Sequence, residues 1–153
     1  MRHGLSILVA LASLSFGARA HVVLDQSQAQ AGSNFKAVLR VGHGCGDSAV
    51  VELVLQIPPG VRSARPMAKP GWLIEQSRDA ATKAVTQIRW TGGRLDAAQF
   101  DDFALLVGLP EQAGPLTFKV TQVCESGRAD WAPVLDVLPA GAPAAAHKHG
   151  GES

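Results

Sequence analysis

His21 and His43 are the residues best suited to chemistry, because both offer nitrogen donors that can bind a metal. If the chain is cut after Ala20, His21 becomes the first residue and carries a free α-amine beside its ring. The unperturbed pKa values of these two groups, about 7.7–8 and 6.5, make both available as neutral donors near neutral pH at a modest cost in released protons. Nitrogen donors in a tetragonal arrangement suit Cu(II), so a processed His21 predicts a copper chelate.

His43 is the second candidate ligand, in the segment Gly42-His43-Gly44 at the end of a predicted strand. The two glycines predict open surroundings for its ring. A first strand beginning at His21 and a strand ending at Val41 can lie at the same rim of a small sandwich, where the two histidines would supply three nitrogens to one metal. The alternatives are that histidine stands at position 21 by chance and that His43 is an ordinary histidine in a surface loop.

Residues 1–20 have the pattern of a secretory leader: a basic start at Arg2, an apolar run and Ala18-Arg19-Ala20, which signal peptidase cuts. Cleavage removes two of the 14 basic side chains and none of the 13 acidic ones, which leaves 12 and 13. This balance, without a basic stripe or a second long apolar run, predicts no nucleic-acid partner and no membrane anchor. We expect a periplasmic or secreted protein.

The only two cysteines, Cys45 and Cys124, are predicted to form a disulfide, because exported proteins meet an oxidising compartment. The alternative is that Cys45, two residues from His43, is a thiolate ligand as in blue-copper sites.

Alternating apolar and polar residues predict an all-β, immunoglobulin-like antiparallel β-sandwich over residues 21–138. In the first long strand Phe35, Ala37, Leu39 and Val41 should face inward, and in the next Val51, Leu53, Leu55 and Ile57. The predicted strands are residues 34–42, 49–57, 61–65, 72–76, 85–91, 103–109, 116–124 and 134–138. Residues 96–102 are compatible with one helical turn, and residues 139–153, with His147 and His149, are predicted to form a disordered tail.

The remaining candidates for chemistry are weak. Trp72, Trp90 and Trp131 are expected to pack in the core or at the rim. Asp101 and Asp102 would point to opposite faces of a strand and so cannot form an acid–base couple. The sequence therefore predicts a protein that is not an enzyme.

Motifs spread over nearly all of residues 21–138 resemble those of the YcnI-like copper-binding domain family. They are His21-Val22, Ala31-Gly32-Ser33, residues 56–61, Lys69-Pro70-Gly71-Trp72, Phe100-Asp101-Asp102-Phe103, Leu109-Pro110 and residues 122–131. The resemblance implies an exported β-sandwich that binds Cu(II) through the amine and ring of its first residue, His21, with a carboxylate assisting. It also implies a nearby tryptophan, a role that falls on Trp131, and a copper chaperone or membrane copper transporter as partner.

The sequence departs from the Gram-positive pattern of that family, in which a Pro-x-Glu segment ends the first long strand, because Gly42-His43-Gly44 stands there. We therefore expect His43 to replace the carboxylate in a two-histidine brace, in a free periplasmic, Gram-negative-type variant. Glu52, Glu125 and Asp130 are the carboxylates to test if His43 is not a ligand.

Two other functions are compatible with the residues. A copper-dependent polysaccharide oxygenase also uses a two-histidine brace, but the absence of tyrosine and the small size disfavour it. A metal-free extracytoplasmic interaction domain would need only the core pattern. The leading prediction is a protein that holds or delivers Cu(II) without turnover.

Overall fold

The computed structural model describes residues 21–142, which form strands and turns without a helix. The all-β prediction is confirmed. The strands, in chain order, are β1 (Val22–Leu24), β2 (Gln28–Gln30), β3 (Asn34–Val41), β4 (Val50–Gln56), β5 (Ser63–Pro66), β6 (Leu73–Arg78), β7 (Val85–Thr91), β8 (Asp101–Gly108), β9 (Gly114–Thr117), β10 (Lys119–Cys124), β11 (Arg128–Trp131) and β12 (Val134–Leu138).

Two larger antiparallel sheets enclose the core, with strand orders β1-β3-β8-β5 and β11-β10-β4-β7-β6. Trp90 of the five-stranded sheet packs edge-on against Phe103 of the four-stranded sheet, with ring centroids 5.6 Å apart. A third sheet, β2-β12-β9, contains the parallel pair β2 and β12. As a result β1 and β11 are edge strands of different sheets, and this arrangement matters for the site.

The predicted alternation holds in β3, where Phe35, Ala37, Leu39 and Val41 are all buried. In β4 it is confirmed for Leu53 and Leu55 but wrong for Val51, since Val50 is buried instead. The cause is a bulge: Val123 pairs with Glu52 but Cys124 pairs with Val50, so Val51 is the extra residue and the inward phase shifts.

Other boundaries also differ from the predictions. Residues 116–124 are not one strand, because the Phe118 N–H donates to the Pro133 carbonyl (2.9 Å) where the chain passes from β9 to β10. The helical turn predicted at 96–102 is wrong: Gln99 N–H donates to the Asp96 carbonyl (2.9 Å) in a single turn, and Asp101 already belongs to β8. Strands β2 and β11 were not predicted from the sequence, because they are short and rich in polar residues.

The chain after β12 makes specific contacts as far as it is described. The Ala142 N–H donates to the Pro139 carbonyl (3.1 Å), and Gln30 Nε2 donates to the Ala142 carbonyl (2.8 Å). The predicted leader, residues 1–20, and the histidines His147 and His149 lie outside the described residues. Within residues 21–142 no helix has the length and apolar character needed to cross a membrane.

Candidate metal site

His21 lies at the open edge of the four-stranded sheet, one residue before β1. Val22 pairs with Val41 in antiparallel register, and the Gly42 N–H donates to the His21 carbonyl at 3.4 Å. Burial of Val22 fixes the start of the strand, while the His21 side chain itself is exposed. The register therefore sets His21 beside the residue that precedes His43, as the sequence predicts.

Trp131 lies at the end of β11, the edge strand of the other large sheet. Its ring centroid is 5.2 Å from that of His21, and the two ring planes are tilted by 39°. This separation is within the usual range for interacting aromatic rings. The contact joins the two edge strands, so the predicted first ligand and the predicted nearby tryptophan are neighbours.

Gln122 connects Trp131 to the segment that carries His43. Its side chain is fully buried, its Nε2 donates to the His43 carbonyl at 2.9 Å, and its Oε1 accepts from Trp131 Nε1 at 3.0 Å. Sequence reasoning missed this residue. The signal was available, because Gln122 shares the inward face of β10 with the apolar residues Val120 and Cys124 and is the polar exception there.

The His43 ring is half-buried, and one of its nitrogens has a protein partner. His43 Nδ1 lies 2.8 Å from the Gly44 carbonyl oxygen. Because a carbonyl oxygen only accepts, this bond requires the proton on Nδ1 and leaves the lone pair on Nε2. Metal-bound histidines commonly donate their other ring N–H to a carbonyl in this way, so Nε2 is suited to bind a metal.

The prediction of open surroundings on both sides of His43 is correct at Gly42, which is exposed, and wrong at Gly44, which is buried. A Cβ atom at Gly44 would collide with the Ser48 carbonyl oxygen and lie 2.9 Å from Ala97 Cα. The Gly44 N–H also donates to the Ala97 carbonyl at 3.1 Å. Gly44 thus allows a close approach of three backbone segments that anchors the loop.

The predicted disulfide is present: Cys45 and Cys124 are bonded, with their Cα atoms 6.1 Å apart. The Cys45 N–H also points at Cys124 Sγ, at 3.2 Å. The bond ties the loop after His43 to the end of β10, two residues beyond Gln122. Because both sulfurs are bonded, neither is a thiolate, and the blue-copper alternative does not apply.

The three fallback carboxylates are engaged elsewhere. Glu52 makes two bonds to Arg89 (2.7 and 2.9 Å), and this hydrogen-bonded guanidinium lowers the pKa of Glu52. Asp130 accepts from Thr121 Oγ1 at 2.6 Å and from Arg128, and these hydrogen bonds lower the pKa of Asp130. Glu125 pairs with Arg94.

Asp130 is adjacent to Trp131 in sequence but on the other face of the sheet. It pairs with Thr121, whereas the buried Gln122 occupies the inward face. Residues 21–142 contain no group of three or more His, Cys, Asp and Glu side chains placed to hold a metal.

The other two tryptophans have packing roles. Trp90 is fully buried and Trp72 packs edge-on against Phe103 at 5.1 Å, so neither stands at the His21 edge. Asp101 and Asp102 separate as predicted: Asp101 pairs with Lys69 (2.6 Å) and Asp102 with Arg40 (2.9 Å).

The protein is an immunoglobulin-like β-sandwich. It is similar to an uncharacterised protein from Nocardia farcinica with an immunoglobulin-like fold: TM-score 0.66, 25% identity, covering 76% of this chain and 97% of that one. A cohesin module of a family 33 glycoside hydrolase from Clostridium perfringens shares the fold, with TM-score 0.54 and 12% identity over 78% of this chain and 97% of the module.

The chain belongs to the family described as "Domain of unknown function (DUF1775)", whose model matches residues 21–148 and which is the YcnI-like domain. The predicted YcnI-like family and the predicted immunoglobulin-like fold are confirmed, whereas copper binding and the Gram-negative-type variant stay predictions. No curated protein matches the sequence significantly.

Proposed function

We propose that this protein binds one Cu(II) at the edge between its two large sheets and holds or delivers the ion without turnover. The donors are the His21 amine, the His21 ring and the His43 ring. The observation that carries the proposal is the β1–β3 register, which sets His21 beside Gly42 and so brings the two predicted ligands to one rim.

The chemistry of the donors supports copper. Amine and imidazole nitrogens suit Cu(II), which also binds most tightly among the common divalent metals. His43 Nδ1 is held by the Gly44 carbonyl, so Nε2 is the nitrogen offered to the metal. Trp131, whose ring centroid is 5.2 Å from that of His21, lies near the site without being a strong ligand, because an indole N–H only donates.

A two-histidine site is favoured over a histidine–carboxylate site by the pairing of the carboxylates. Glu52, Glu125 and Asp130 would each have to leave an arginine to reach a metal. A binding role rather than oxygenase chemistry is favoured by the lack of tyrosine, the residue often found at the axial position of such enzymes.

The setting proposed is the periplasm, in a Gram-negative-type variant, with a copper chaperone or membrane copper transporter as the partner. The support is the leader pattern of residues 1–20 together with the disulfide, which is typical of oxidising compartments. Export is tested by the intact mass and N-terminal sequence of the secreted protein, which should begin at His21. A different first residue would remove the chelating amine.

The site is tested by titrating processed protein with Cu(II) and recording electron paramagnetic resonance spectra. His21→Ala should abolish tight binding because it removes the chelate ring, and His43→Ala should weaken binding by a smaller factor and simplify the nitrogen hyperfine pattern. The matched control replaces both His147 and His149 with alanine, which should leave the tight site unchanged. If His43→Ala keeps the affinity and spectrum, the two-histidine site is wrong.

A further inference from the structure

We infer that Gln122 is a positioning residue for the copper site, holding Trp131 and the backbone of His43 in one fixed arrangement. The inference rests on the proposed function. Gln122 itself is buried and would not touch the ion; it would act through the two residues that do lie at the site.

Burial makes the hydrogen bonds of Gln122 to His43 and Trp131 matter. Among residues 21–142 it is the one polar side chain that is buried, with no exposed surface at all. A carboxamide removed from water is tolerated only when its polar atoms are paired. Here Nε2 donates to the His43 carbonyl (2.9 Å) and Oε1 accepts from Trp131 Nε1 (3.0 Å).

The chemistry of the partners fixes which way the carboxamide points. The indole N–H can only donate and a backbone carbonyl can only accept, so the two ends of the amide cannot be exchanged. The group is planar and rigid, and it therefore sets the separation between Trp131 and the His43 backbone. No apolar side chain of similar length can satisfy both partners.

The two partners belong to different parts of the sandwich. Trp131 ends β11 in the five-stranded sheet, and His43 follows β3 in the four-stranded sheet. Because the Trp131 ring also contacts the His21 ring, the contacts form a continuous path from His21 through Trp131 and Gln122 to His43. A change at Gln122 should thus disturb both predicted ligands at once.

The test compares Gln122→Met with Leu135→Ala, a buried substitution in β12 of the third sheet. Both variants lose core stability, but only the first loses the hydrogen bonds to the site. Gln122→Met should weaken Cu(II) affinity by about 10–100-fold and change the electron paramagnetic resonance spectrum, as losses of supporting groups around metals do. Leu135→Ala should bind within about twofold of the unmodified protein, as expected for an independent site.

A double variant separates positioning from general destabilisation. If Gln122 acts partly through Trp131, the affinity losses of Gln122→Met and Trp131→Phe should combine to less than their product. Fully multiplied losses, or copper binding by Gln122→Met that equals the unmodified protein, would overturn the inference.

A metal-free measurement distinguishes failure of this inference from failure of the proposed function. The Trp131 indole N–H resonance, assigned by its loss in Trp131→Phe, should move in Gln122→Met but not in Leu135→Ala. If the unmodified protein takes up no Cu(II), the proposed function fails, and an indole resonance that still moves upholds the positioning of Trp131 by Gln122. An indole resonance that does not move in Gln122→Met overturns the positioning of Trp131 by Gln122.

If Gln122→Met does not fold, Trp131→Phe tests the same connection from the Trp131 side. The His43 ring resonances should then shift in Trp131→Phe, and unchanged resonances would refute the connection.

Discussion

Replacing Cys45 and Cys124 together with alanine should remove a large part of the stability of the domain. The disulfide joins residues 79 positions apart and so closes a long loop in the unfolded chain. Loop-closure entropy for such a span corresponds to about 4–5 kcal/mol at 25 °C. This is an appreciable share of the roughly 5–15 kcal/mol by which domains are usually stable.

The assay is urea and thermal unfolding of the processed protein, followed by tryptophan fluorescence. For a domain of about 120 residues the predicted loss corresponds to a fall in Tm of about 15–20 °C. The dependence of the unfolding free energy on urea should also steepen, because an unfolded chain without the crosslink exposes more surface. Unmodified protein with its disulfide reduced is the control and should behave like the double variant.

The expected effect extends to the candidate site. Cys45 is two residues from His43, and Cys124 is two residues from Gln122, so the bond ties the loop that follows His43 to the end of β10 that carries Gln122. Copper affinity should fall along with stability. A loss of less than about 1 kcal/mol with an unchanged urea dependence would refute the loop-entropy argument.

Two further predictions concern local contacts. Gly44→Ala should lower the free energy of unfolding in urea by about 1–3 kcal/mol and weaken copper binding, because the added Cβ would collide with Ser48. Gly42→Ala is the control, since its Cβ would lie at an ordinary contact distance of 3.6 Å from the His21 carbonyl oxygen. Equal effects of the two variants would contradict the packing argument. Glu52→Gln should cost less than about 1 kcal/mol at pH 7, because the ion pair with Arg89 is partly exposed. Since Arg89 lowers the pKa of Glu52 in the fold, this contribution is present above the unfolded pKa of about 4.3 and is lost as pH falls through the folded pKa. The urea midpoints of the two proteins should therefore converge in acid, and a constant difference would contradict the assignment.

The sequence alone predicts the strands whose burial alternates strongly, and it fails where pairing between strands decides the outcome. The inward face of β3 was predictable from Phe35 to Val41 because every second residue is apolar. The inward phase of β4 was not, because the bulge opposite Val123 and Cys124 depends on a partner strand that is distant in sequence. Strand β11 has one large apolar residue, Trp131, in four positions and so carries little periodic signal.

The residues of the candidate site also divide into those that the sequence predicts and those that only the structure reveals. His21, His43 and Trp131 stand out by residue type and by resemblance to a known family, and strand register explains how the first two reach one rim. Gln122 could have been suspected as a polar residue on an apolar face, but its two partners come from different sheets and are visible only in three dimensions. The steric need for Gly44 likewise depends on Ala97, far along the chain.

The central claim is most directly tested by comparing Cu(II) binding of the protein that begins at His21 with that of the same protein carrying one extra residue before His21. The extension keeps every side chain but converts the α-amine into an amide, which cannot serve as the same neutral donor. The account predicts tight binding of one Cu(II) only with the free amine, with affinity decreasing as pH falls because each donor must be free of its proton to bind. Equal affinity and equal spectra for the two proteins would contradict it.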